Sequence, residues 1–82
     1  MAKNWLYKYG DDTIEVVNKV FTGSELYVNG ELRDQNNGFS FRDRLNATLK
    51  NGEVISATLG GAITVKCSLF VNEVLQKPVE VK

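Results

Sequence analysis

Histidine is absent from this chain, and cysteine occurs once, at Cys67. Without an imidazole neither a Ser-His-Asp nor a Cys-His relay can be assembled, and the commonest neutral metal ligand is missing. One thiol cannot build a zinc site. Cys67 also stands inside an apolar alternation, where a thiol behaves as a small hydrophobe. The carboxylates worth weighing are Asp11 and Asp12 in "GDDT", Asp34 beside Arg33, and Asp43 in "FRDR". Two carboxylates can work as acid and base, but adjacent acids next to a glycine read first as a solvated turn. Neither "YGDDT" nor "RDQNNG" supplies the ligand series of a calcium loop. The glycines of "LGGA" lack the lysine and following helix of a phosphate loop, and predict a tight bend instead. These residue types predict no catalytic residue, no metal and no cofactor: the chain is not expected to be an enzyme.

Two groups of residues could instead make contacts. Trp5, Tyr7 and Tyr9 alternate with Leu6 and Lys8, and an exposed aromatic row would stack on sugar rings or bases. That would make the chain a small-ligand or carbohydrate-binding module. The competing expectation places the row on the first strand, facing the core, because a small domain with few aromatics needs them inside. The second group comes from two stretches that echo each other, "LYVNGELR" and "LFVNEVLQ". Tyr27 and Phe70 point outward from them, and a three-residue turn at Val71-Asn72-Glu73 would set Val74 opposite Phe70. If the two hairpins are neighbours, Tyr27, Phe70 and Val74 form an apolar patch, and such patches mark partner surfaces or self-association.

The elements that position these residues are strands. In "TIEVVNKV" Ile14, Val16 and Val20 share a face; in "FSFRDRLNATLK" Phe39, Phe41, Leu45, Ala47 and Leu49 do so together with Asp43. Ile55, Ala57 and Leu59 follow the same rule, as do Ile63, Val65, Cys67, Leu69 and Val71. Pro78 ahead of Val79 and Val81 suits an edge strand, and "RDQNNG" reads as turn chemistry. Asn29-Gly30 and Asn51-Gly52 are hairpin signals. At the second, a three-residue loop, Lys50-Asn51-Gly52, pairs Ala47 with Ile55 and Leu45 with Ala57 and keeps one face apolar. The same register at Asn29-Gly30 would pair Leu26 with Leu32. Asp43 breaks the apolar face, so a bulge near Arg42-Asp43-Arg44 is expected to turn it outward. An ion pair with Arg42 or Arg44 is the next reading, and a small functional charge cluster in "FRDR" a third.

Seven or eight short strands joined by hairpins predict an all-β, single-domain sandwich of two antiparallel sheets spanning residues 1–82, with a small closed barrel as the alternative. "LYVNGEL", "NATLKNGEV" and "AITVKCSLFVNEVLQK" together resemble the β-sandwich domain of the Fas apoptosis inhibitory molecule family, over positions 13 to 77. The sequence departs from that family where it reads "FSFRDRL", a region in which the family carries a tryptophan. The resemblance implies a non-enzymatic domain that acts through contacts with other proteins. Ten basic and ten acidic side chains cancel, so no net field draws in phosphate backbones and nucleic acid is not the expected partner. A lone cysteine, the lack of an apolar leader in "MAKNWLYKYG" and the shortness of every apolar run predict a cytoplasmic chain with no membrane span. The expected function is therefore protein contact, with a partner or with itself.

Overall fold

Period-two alternation makes most segments bury chiefly one face, and two such sheets close over each other. The computed structural model describes residues 2–19, 21–38, 42–61 and 64–82; the expectations for Val20, Phe39, Phe41 and Ile63 lie outside them. The described residues form nine strands: β1 Lys3–Tyr9, β2 Asp12–Asn18, β3 Gly23–Val28, β4 Glu31–Asn37, β5 Arg42–Thr48, β6 Val54–Gly60, β7 Lys66–Val71, β8 Val74–Gln76 and β9 Glu80–Val81. A five-stranded sheet runs in the order β4-β3-β2-β1-β9 and a four-stranded sheet in the order β5-β6-β7-β8. All pairings are antiparallel. The expected sandwich is the fold, and the sheets do not close into a barrel. No helix of the described residues is long and apolar enough to cross a membrane.

The core lies between the sheets. Trp5, Tyr7, Ile14, Val16, Leu26 and Val28 enter it from one side; Leu45, Leu49, Ile55, Ala57, Leu59, Leu69 and Val71 enter from the other. Six of the largest of these side chains are essentially sealed from solvent, and burying each aliphatic one contributes about 2 kcal/mol.

Turn chemistry sets the registers. Lys50-Asn51-Gly52 is the expected three-residue loop, with Ala47 opposite Ile55 and Leu45 opposite Ala57, and Gly52 takes the left-handed conformation at φ 92°. The other two hairpins depart from the expected register. Asn29 and Gly30 both have positive φ (51° and 82°), as do Asn72 and Glu73 (47° and 70°). Two consecutive left-handed residues make a two-residue turn whose twist matches that of the strands. Val28 therefore pairs with Glu31 and Tyr27 with Leu32, while Val71 pairs with Val74 and Phe70 with Leu75. Leu26 faces Asp34, not Leu32.

"RDQNNG" is not a turn. Residues 33 to 37 belong to β4, an edge strand hydrogen-bonded to β3, with a bulge opposite Leu26 and Tyr27 that takes up Arg33. The bend expected at "LGGA" does involve Gly61: at φ 140° it passes so close to the chain that a Cβ would lie 2.0 Å from the Thr64 carbonyl oxygen. Pro78 precedes β9, which is an edge strand as expected.

Asp43 does not turn outward. Its register with Leu59 is uninterrupted, and it points between the sheets on the side of Leu45. There it accepts a hydrogen bond from the Ser24 hydroxyl at 2.8 Å and one from Asn36 Nδ2 at 3.4 Å. Ser24 in turn accepts from Asn18 Nδ2 at 3.0 Å. The carboxylate is tolerated because partners from β3 and β4 satisfy it, so neither a bulge nor an arginine is needed.

Candidate functional site

The aromatic row is core. Trp5 and Tyr7 retain 4% and 1% of their exposure, and Tyr9 packs against the core at its rim. Their polar ends are used internally. The Tyr7 hydroxyl donates to Cys67 Sγ at 3.6 Å and the Tyr9 hydroxyl to Glu53 Oε2 at 2.6 Å, while Lys3 Nζ lies 5.5 Å from the Trp5 ring centre. Burial pushes the Tyr7 phenol far above its ordinary pKa and pushes the Cys67 thiol up as well. The hydrogen bond to Glu53 raises Tyr9. Cys67 is held as a thiol beside a phenol that is held neutral, which suits packing and not nucleophilic attack. A stacking platform built from Trp5, Tyr7 and Tyr9 would need all three rings exposed, whereas Trp5 and Tyr7 are buried and Tyr9 is half-buried.

Tyr27, Phe70 and Val74 do not share a surface. Tyr27 faces outward from the five-stranded sheet opposite Leu32 and Glu15, and its hydroxyl donates to Glu25 Oε1 at 3.0 Å, which raises its pKa. Phe70 faces outward from the four-stranded sheet, on the far side of the molecule. Val74 belongs to neither outer face. It pairs with the buried Val71 and so points inward at the rim, leaving Leu75 as Phe70's outward neighbour. The expected patch fails because the two echoing hairpins sit in different sheets, and because each turn is one residue shorter than the alternation suggested.

What the structure does assemble is the outer face of the four-stranded sheet. Alternation from the buried Leu45, Ile55 and Leu69 places Arg42, Arg44 and Asn46 outward on β5, with Ser56 and Thr58 on β6 and Lys66, Ser68 and Phe70 on β7. The registers align these into rows: Arg44 with Thr58 and Ser68, then Asn46 with Ser56, Phe70 and Leu75. Two shallow depressions occupy the face. One of about 780 Å³ is lined by Arg44, Asn46, Val54, Ser56, Phe70, Asn72 and Glu73; one of about 490 Å³ by Arg42, Asp43, Arg44, Thr58, Leu59, Gly60, Lys66 and Ser68. Arg44 borders both, and its Nε donates to Ser56 Oγ at 3.3 Å.

Charge distinguishes the two outer faces. On the four-stranded sheet the outward charged strand residues among those described are Arg42, Arg44 and Lys66, with no carboxylate between them. The five-stranded sheet mixes signs: Glu15, Glu25 and Glu80 stand outward with Lys8, and Lys19 pairs with Glu25 at 3.3 Å. Among the described residues the outward strand positions of the four-stranded sheet therefore carry cationic charge, with the carboxylate of Glu73 at the β7–β8 turn bordering its larger depression. Its arginines were visible in "FRDR", whose reading as a charge cluster comes nearest, but Lys66, Phe70 and Leu75 join them only through sheet registers. Among the described residues no three of Cys, Asp and Glu converge as metal ligands. Comparison with protein families, curated proteins and solved structures finds no match.

Proposed function

We propose that the protein is a non-catalytic domain that works by protein contact, and that the outer face of the four-stranded sheet takes an acidic polypeptide segment with an apolar side chain at one end. The observation that carries this reading is the outward placement of Arg44 and Lys66 beside the apolar Phe70, Leu75 and Val54 on one continuous face. Guanidinium groups match carboxylates two hydrogen bonds at a time. The apolar end supplies an anchor, with Leu75 and Val54 more than half exposed. A histidine-free sequence supports the non-catalytic part, the single cysteine supports a reducing, cytoplasmic setting, and the resemblance to the Fas apoptosis inhibitory molecule family implies the same mode of action. Nucleic acid fits the face less well. Among the described residues Phe70 is the one aromatic ring on it, whereas single-strand binders stack successive bases on several.

The test is an amide-shift titration with an extended peptide alternating Glu and Leu, alongside its Lys-for-Glu counterpart. Shifts should map to Arg44, Ser56, Phe70 and their neighbours, weaken with salt, and be absent with the lysine peptide. Arg44→Glu should lower affinity about tenfold. An unmoved spectrum, shifts on the Tyr27 face, or a single-stranded oligonucleotide binding in the peptide's stead would overturn the reading.

A further inference from the structure

The two edges of the four-stranded sheet are treated differently. β5 is closed by side chains of β4: Arg33 Nη2 donates to the Thr48 carbonyl at 2.9 Å, and the Asn46 amide donates to Asp34 Oδ2 at 2.8 Å. The Arg44 carbonyl accepts from Asn36 Nδ2 at 3.5 Å. At the other edge, β8 has β7 on one side and no described strand on the other. Because Asn72-Glu73 is a two-residue turn, Val71 and Val74 are the hydrogen-bonded pair that flanks it. The next pair, Phe70 and Leu75, is then the non-bonded kind, so the Leu75 N–H and C=O point away from β7 into the open edge.

We propose that a second copy of this chain occupies that edge, its β8 running antiparallel to the first about a two-fold axis at Leu75. An antiparallel strand pair is self-complementary under a two-fold rotation, and Leu75 presents the two backbone groups that a central hydrogen-bonded pair exchanges. The same register sets Val74 opposite Gln76 of the second copy and Glu73 opposite its Lys77. Opposite charges in facing positions favour the pairing, and the symmetry makes the contact twice. On the outer face Leu75 meets Leu75 of the second copy, each flanked by its own Phe70, so the exposed Leu75 side chain is covered. Pro78 lacks an N–H and limits the pairing to this short segment. The proposal rests on the edge and is independent of what the cationic face binds. It would join two such faces into one continuous sheet.

The experiment is sedimentation velocity of the full chain over a concentration series without peptide. The mass should rise from 9.2 kDa toward twice that value, with a dissociation constant on the order of 10–100 µM, as suits a small interface. Glu73→Lys and Lys77→Glu should each weaken association by about five- to tenfold, and the double variant should restore it, since only like charges in facing positions repel. Leu75→Lys should give a monomer with unchanged circular dichroism. A wild type that stays monomeric at millimolar concentration, or a charge-swapped double variant that stays as weak as the single ones, would overturn the proposal.

Discussion

Asn29 and Asn72 hold the same post in two hairpins. Asn29 exchanges hydrogen bonds with the backbone of Thr13: its amide donates to the Thr13 carbonyl at 2.7 Å, and its Oδ1 accepts from the Thr13 amide at 2.9 Å. Asn72 does the same with Val54, at 2.9 and 3.0 Å. Each Nδ2 then reaches the acidic side chain one residue earlier, Asp12 at 2.9 Å and Glu53 at 3.2 Å. One device thus ties each two-residue turn to the strand beyond its own hairpin, once in each sheet. The strands that leave the turns diverge. β4 is seven residues long, polar, and locked onto β5; β8 is three residues long, with two exposed apolar side chains and an open edge. The same turn serves a closed edge and an open one, and the difference lies in the side chains that follow it.

If the two hairpins are equivalent supports of the core, the largest effects should be equal. Leu26 on β3 and Leu69 on β7 are both fully buried. Leu26→Ala and Leu69→Ala should each cost about 3 kcal/mol of unfolding free energy, from lost transfer energy plus the cavity left behind. Urea denaturation followed by Trp5 fluorescence measures both. A loss below about 1 kcal/mol at one site would break the equivalence and make that sheet peripheral to folding.

Much of this architecture is legible in the residues, for a stated reason. Alternation identifies the inward faces of β1, β2, β5, β6 and β7, because burial on one side imposes period two. It also selects the three-residue loop at Lys50-Asn51-Gly52. The same logic misreads Asn29-Gly30 and Asn72-Glu73, because it assumes that Leu32 and Leu75 must be inside, whereas both lie outward opposite an aromatic residue. "RDQNNG" is opaque for a related reason. Its polarity matches a turn, but the partners that make it a strand, β3 on one side and the Asn46 and Thr48 backbone on the other, are distant in sequence. Asp43 is misread likewise, since only the fold brings Ser24 and Asn36 to it. The candidate site is the least legible element: Arg42 and Arg44 advertise themselves, but their union with Lys66 and Phe70 is a product of register.

The shared clasp should be worth less than the core, and slightly different in its two settings. Asn29→Ala removes two side-chain hydrogen bonds and a residue that accepts positive φ, and should lower stability by about 1–2 kcal/mol. Asn72→Ala should cost somewhat less. Its acidic partner Glu53 is also held by the Tyr9 hydroxyl and by Asn51 Nδ2, so that arm of the clasp keeps its place when Asn72 is lost. Melting curves of the two variants measured side by side give the order, and a reversed order would mean that the Tyr9–Glu53 contact does not support the turn.

The smallest effect isolates the single position at which the turns differ. Gly30 and Glu73 occupy equivalent left-handed sites, at φ 82° and 70°. A side chain there strains the backbone, and glycine does not, although glycine gives the unfolded chain more freedom to lose. The strain is the larger quantity, so Glu73→Gly should stabilise the hairpin by about 0.5–1 kcal/mol, and Gly30→Glu should destabilise its own by a similar amount. Retaining Glu73 at this cost is explained if its carboxylate faces Lys77 of a second copy. Glu73→Gly should then raise the melting temperature measured at low concentration while weakening dimerisation, because the substitution relieves the turn and deletes the charge together. A variant that gains stability and dimerises as tightly as the wild type would leave the left-handed glutamate at this turn with no compensating role at the β8 edge.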